Sequence, residues 1–143
     1  MKNHFLVLPL LFLIFSCSES VDSKNPLVDF NSSPNEWLLH GRTYAEERHS
    51  PLDQINTSNV DQIGLSWSFE TGTNRGHETT PIVKDGVMFI TAPWSVVHAL
   101  DAKTGDLLWT HDPQVERAWA NNACCDVVNR GVALYENSIF FGT

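Results

Sequence analysis

The chain has 143 residues, at most one small domain's worth. Its 9 basic and 17 acidic residues give a formal net charge of −8 without any basic run, which excludes a nucleic-acid-binding surface built on phosphate contacts. After residue 16 no apolar run is long enough to cross a bilayer as a helix.

The N-terminus reads as an export signal. Met1-Lys2-Asn3-His4 is a short positive head, and the apolar run from Phe5 to Phe15 is broken only by Pro9. That run is too short for a membrane span and suits a signal-peptide core. Ile14-Phe15-Ser16-Cys17 resembles the bacterial lipobox, with Phe15 bulkier than usual at its position. Residues 1–16 are then a lipoprotein signal peptide and Cys17 is the lipidated N-terminus; a plain secretory signal cut nearby is the alternative. Either route takes the mature chain out of the cytoplasm. Residues 17–35, rich in Ser, Asn, Asp and Pro, read as a flexible tether, and the folded body is expected over 36–143.

Residues 36–51 have no clean period. His40, Glu46 and His49 are tempting metal ligands, but the spacing of the two histidines fits no helical pair, and no metal site is assigned. Residues 56–63 predict one capped helical turn, with Thr57 or Ser58 accepting a backbone N–H and Asp61 in the first turn. Leu65-Ser66-Trp67-Ser68-Phe69 alternates apolar and polar, as a strand does. Residues 81–91 predict a hairpin, because Asp85-Gly86 between apolar runs supplies the positive φ angles of a tight turn. Further strands are expected over 95–100 and 107–111, separated by a tight turn at 103–106. A second hairpin is expected over 132–141, turning at Glu136-Asn137-Ser138. The chain stops in the apolar, strand-like run Ile139-Phe140-Phe141-Gly142-Thr143, as expected of a piece cut mid-fold; a short protein with a terminal strand is the alternative.

Trp67 and Trp109 both follow a leucine-containing run, one period of about 40–50 residues apart, and four short strands per such unit are the pattern of a propeller blade. The expected class is therefore all-β. A blade buries its faces only against its neighbours, so two blades alone would leave apolar faces uncovered.

The cysteines need separate accounting. Three in an exported chain leave one odd thiol, and giving Cys17 to lipid leaves the adjacent pair Cys124-Cys125. Adjacent Cα atoms lie about 3.8 Å apart, whereas an ordinary disulfide spans roughly 4.4–6.8 Å. A bond between them would close a small strained ring; two neighbouring unpaired thiols are the plain alternative. Taken alone, Glu78 reads as a solvated turn residue and Arg130 as half of a surface ion pair.

Residues 99–109 have the form A-x-D-x-x-T-G-x-x-x-W and resemble the tryptophan-docking repeat of quinoprotein propellers, with Asp106 where lysine is frequent. Asp101 can bond turn amides, Gly105 permits the turn, and Trp109 is expected to pack between blades. Residues 75–83, containing Glu78, resemble the glutamate-bearing stretch of pyrroloquinoline quinone (PQQ)-dependent alcohol dehydrogenases. Residues 124–131 resemble their adjacent-cysteine motif, and residues 37–44 with 48–52 resemble their lead-in. The resemblance runs from Trp37 to the last residue. It implies a quinoprotein-type β-propeller of eight blades, of which this chain covers about the first two.

The resemblance also implies roles. Cys124 and Cys125 would form a disulfide lying against one face of the quinone. Arg130 would hold a cofactor carboxylate, to which a guanidinium can give two charge-assisted hydrogen bonds. Glu78 would be a further polar contact at the cofactor, its charge compensated by Arg130. Thr79 and Thr80 are expected to start a strand, and His77 is given no role. Trp94 and Trp119 are expected in packing, His98 and His111 as structural side chains, and Asp126 in loop structure. The implied reaction is alcohol oxidation by hydride transfer to PQQ, with calcium or a lanthanide as Lewis acid and a carboxylate as base. Electrons would pass to cytochrome c or a membrane quinone. The catalytic base and metal ligands are expected further along the chain, and none is assigned here. The implied place is the periplasm, with membrane contact through the lipid anchor only. Two other readings stand beside this one. A propeller lipoprotein that scaffolds outer-membrane assembly would explain the anchor and the repeat but not Cys124-Cys125, Glu78 or Arg130. A quinoprotein acting on a sugar is opposed by the adjacent cysteines.

Overall fold

A four-stranded antiparallel meander grows from the Asp85-Gly86 corner in a computed structural model of the chain, which describes residues 33–143. The export signal, Cys17 and all but the end of the expected tether lie outside those residues. Strand β1 (Ile82–Lys84) pairs with β2 (Val87–Ala92) in the register Lys84 opposite Val87. Asp85 and Gly86 have φ of 51° and 77°, the paired positive angles that a two-residue hairpin needs. The Glu36 carboxylate accepts the Asp85 N–H at 3.0 Å and fixes this corner. Trp37 exchanges both backbone hydrogen bonds with Val83, at 3.0 and 2.9 Å, and lengthens the sheet beyond β1 by one residue pair.

Strand β2 runs into β3 (Val96–Asp101) through a 3₁₀ turn at Pro93–Ser95, and β3 into β4 (Leu107–His111). The Asp101 carboxylate accepts the N–H groups of Lys103 and Thr104, each at 2.9 Å, which closes the expected turn. Those two amides, Thr104 first, hold the Asp101 carboxyl below its ordinary range.

β3 carries the core. Val97, His98, Ala99 and Leu100 are buried in succession, so both faces of the strand are covered. One cover is the segment expected to be a strand over 65–69. It joins no ladder among the described residues. Its two rings lie on blade residues instead: Phe69 meets His98 edge-on at 5.2 Å, and Trp67 lies over Gly105 so closely that a Cβ there would stand 2.5 Å from the indole. Gly105 thus serves two ends, the left-handed turn at φ +78° and the seat for Trp67. Trp67 is the tryptophan seated on this motif's glycine, while Trp109 is 41% exposed, its ring 6.1 Å from Phe89.

The second hairpin, β5 (Ala133–Tyr135) with β6 (Ser138–Phe140), forms where expected, with Glu136 at φ 52° in its turn. Leu107, Leu108, Tyr135 and Phe140 stay at least half exposed, as outer faces of a blade and a half should be. The helical turn at 60–62 is present, but no side chain caps it; the polar bonds lie in the turn before it. Asn56 accepts the Ser58 N–H at 3.0 Å, and Asn59 accepts the Asn56 N–H at 2.8 Å. Asparagine carries a carbonyl acceptor that reaches nearby backbone N–H groups, which closes this preceding turn without Thr57. Among the described residues, no helix is long and apolar enough to cross a membrane.

Candidate functional site

Two irregular segments meet at one end of the sheet. One is the run into β1 that carries Glu78. The other follows a 3₁₀ helix (Arg117–Asn122) and carries Cys124, Cys125, Arg130 and Gly131 before β5. Thr80 N–H donates to the Arg130 carbonyl at 3.1 Å and staples the two together. Gly131 makes this approach possible: its φ is +126°, and a Cβ there would meet the Thr80 carbonyl at 3.0 Å.

The staple brings the side chains of Glu78 and Arg130 together, Oε2 to Nη2 at 2.9 Å. They are 44% and 70% exposed, and an exposed pair of this kind contributes about 0–1 kcal/mol. Stability therefore gives little reason for the pair, and Arg130 can turn its free donors to an anionic ligand at small cost. Cys125 is the third member. Its thiol is pushed up, first by the hydrogen bond and charge of Cys124, and then by a smaller desolvation although the residue is exposed. Arg130 pulls it down and Glu78 pushes it up, so both charges act on this sulfur. The expected Cys124–Cys125 bond is not formed in this structure. Both are free, exposed thiols, their Sγ atoms 2.9 Å apart, a hydrogen-bond contact rather than the roughly 2.05 Å of a disulfide.

The supports of the site were mostly missed from sequence. Thr79 and Thr80 precede β1 rather than start it. Thr79 Oγ1 accepts the Thr91 N–H at 3.0 Å, and the Thr91 hydroxyl donates to the Asn129 carbonyl at 3.1 Å. Asn129 closes a turn on the Gly131 N–H at 3.0 Å and donates to Ser95 Oγ at 3.1 Å and to the Gly142 carbonyl at 2.8 Å. An Asn two residues before a Gly is the legible mark of such a turn. His40 belongs to a polar chain. Its Nδ1 is 2.8 Å from Thr80 Oγ1 and its Nε2 is 2.6 Å from the Arg48 guanidinium. An arginine can only donate, so Nε2 accepts and Nδ1–H donates to Thr80. His77 bonds Thr71 at 2.8 Å. Asp126 is more than loop structure, since it forms an ion pair with Arg75. Trp94 is half-buried under two guanidinium groups, and Trp119 is 61% exposed. Among the described residues no group of three or more His, Cys, Asp or Glu side chains is placed to hold a metal.

A guanidinium fork beside a carboxylate and a pair of thiols suits a ligand that carries a carboxylate. The family profile "Glucose/ethanol/alcohol dehydrogenase, beta-propeller domain", of the PQQ type, matches residues 37–140. The chain is 56% identical over 108 residues to a 1-butanol dehydrogenase (cytochrome c) of Thauera butanivorans, covering 76% of this chain and 16% of that protein. The solved quinohemoprotein alcohol dehydrogenase ADHIIG of Pseudomonas putida HK5 superposes with a TM-score of 0.78 at 51% identity, over 81% of this chain and 17% of its own. A europium-containing methanol dehydrogenase superposes with a TM-score of 0.75 at 39% identity, over 82% of this chain and 21% of its own. The chain thus spans about a sixth of the length of the relatives it matches.

Proposed function

This chain belongs to the PQQ-dependent alcohol dehydrogenase family of β-propellers, and from that premise we propose that the whole protein oxidises an alcohol with bound PQQ, this part supplying one wall of the cofactor pocket. The observation that carries the proposal is the exposed Glu78–Arg130 pair stapled beside Cys124 and Cys125. Arg130 holds a cofactor carboxylate through its guanidinium fork. Its backbone is fixed by Thr80 and its neighbour Asn129 is anchored at three points, so the segment that carries the guanidinium is held in place while the exposed side chain can turn to the ligand. Glu78 keeps the fork oriented and contacts the same ligand. Cys124 and Cys125 form a disulfide in the oxidising compartment and present a flat, polarisable wall to the cofactor ring. When bound, PQQ supplies the quinone oxidant for the alcohol.

The base and the metal ligands lie outside these 143 residues. The metal is calcium or a lanthanide, the latter supported by the europium-containing relative. Electrons leave to cytochrome c, as the name of the Thauera relative states for that protein, or to a membrane quinone. Residues 1–16 direct the protein to the periplasm, Cys17 anchors it by lipid, and 36–143 begin an eight-bladed propeller. The relatives are dehydrogenases, which leaves the scaffold lipoprotein without support. The test is reconstitution of the full-length apo-protein with PQQ and calcium, then with PQQ and a lanthanide, following alcohol-dependent reduction of an artificial acceptor. Activity that needs both PQQ and metal is expected; its absence with every metal and alcohol tried would overturn the proposal.

A further inference from the structure

Arg75 ties together three parts of the site that are far apart in sequence. It lies three residues before Glu78 and forms an ion pair with Asp126, the residue that follows Cys125. Its guanidinium also lies over the Trp94 ring, 5.6 Å from the centroid, in the turn between β2 and β3. Trp94 N–H donates to the Val127 carbonyl at 2.9 Å, which closes a loop of contacts from Arg75 through Asp126 and Val127 to Trp94 and back. Both ends of that loop hold unusual backbone. Asp126 has φ +68° and Trp94 φ +67°, and a bulky aromatic residue rarely stays in the left-handed region unless its surroundings fix it there.

We propose that Arg75 is a positioning residue for the cysteine pair: through Asp126 and Trp94 it holds the turn that sets the two sulfurs side by side next to Glu78 and Arg130. Arg75 is 46% exposed and Asp126 36%, so the ion pair adds little to global stability, and its effect falls on the local conformation of residues 123–128. A held turn keeps the thiols at high effective concentration and favours the disulfide over the dithiol. That redox consequence rests on the disulfide proposed above. Reduction breaks the Sγ–Sγ bond, and two glutathione thiols give up two electrons and two protons to leave two cysteines and one oxidised glutathione.

The experiment uses the full-length protein with Arg75→Met, Asp126→Asn, Arg75→Lys and Arg117→Met. Amide hydrogen exchange over residues 123–128 is read by mass spectrometry, and the cysteine couple is titrated in glutathione or dithiothreitol buffers with thiol trapping. Arg75→Met and Asp126→Asn are expected to speed exchange in that segment about tenfold and to make the disulfide about tenfold easier to reduce, a shift of about 30 mV. Arg75→Lys keeps the charge but loses the flat face, and should fall between them and wild type. Arg117 lies closer to Trp94, at 4.5 Å, but its ion pair is with Asp112 and not with Asp126, so Arg117→Met should move both readouts less than Arg75→Met. Arg75→Met and Asp126→Asn both within twofold of wild type would overturn the proposal, as would an equal shift in Arg117→Met. If wild type holds no bond in any buffer, the disulfide reading falls and the exchange rates alone decide the role of Arg75.

Discussion

Alanine at Gly105 should destabilise the fold far more than alanine at Gly86, although the two glycines have nearly the same backbone, φ +78° and +77°. A left-handed angle costs an L-residue about 1–2 kcal/mol, and both variants bear that term. They differ in what the new Cβ meets. At Gly86 nothing lies within 4 Å. At Gly105 the Cβ would stand 2.5, 2.6 and 2.9 Å from three indole atoms of Trp67. The ring must tilt off its seat, and overpacking of this kind adds about 1–3 kcal/mol. Gly105→Ala should therefore lose about 2–5 kcal/mol in all, and Gly86→Ala about 1–2 kcal/mol. Urea unfolding of the full-length protein, followed by tryptophan fluorescence, measures both. Equal losses in the two variants would refute the docking of Trp67 on Gly105.

Other consequences can be read from single groups. His98 is 6% exposed and its Nε2 has no hydrogen-bond partner among the described residues; burial first, and the charge of His77 second, hold its pKa below 6.5. The unfolded chain then binds the proton more readily, so stability is full above about pH 6.5 and falls as pH drops toward the folded pKa. Melting temperature should decline from pH 7 to pH 5, and His98→Gln should flatten that decline; an unchanged slope would count against a buried neutral histidine. A thiol reductant should lower alcohol-dependent activity while leaving the melting temperature nearly unmoved, because a bond between adjacent residues closes almost no loop. Parallel loss of both would contradict this. Glu78→Gln should weaken PQQ binding less than Arg130→Met, since Gln keeps a polar contact and the guanidinium stays; the reverse order in a binding titration would mean that Arg130 does not hold the cofactor.

Local sequence carried most of the blade and little of what braces the site. The Asp85-Gly86 and Glu136-Asn137 turns and the strand at 107–111 follow from short-range chemistry, and they appear at the expected residues. The alternation at 65–69 pointed to a strand, but pairing needs a neighbour, and here Trp67 and Phe69 cover the sheet face instead. The link of Asp126 and Trp94 to Arg75 was not legible in sequence, because Arg75 lies far from Asp126 along the chain. The same holds for the Thr79–Thr91–Asn129 chain. The Glu78–Arg130 encounter came from resemblance, since nothing local to either residue specifies a partner across the sheet end.

The most direct measurement is a titration of PQQ into the full-length apo-protein, wild type and Arg130→Met, read by quenching of tryptophan fluorescence. Wild type should bind one PQQ saturably. Loss of the charge-assisted hydrogen bonds in the variant, worth about 1.5–3 kcal/mol, should weaken binding at least about tenfold. No saturable binding by wild type, or equal affinity in the two proteins, would contradict a cofactor wall built on Arg130.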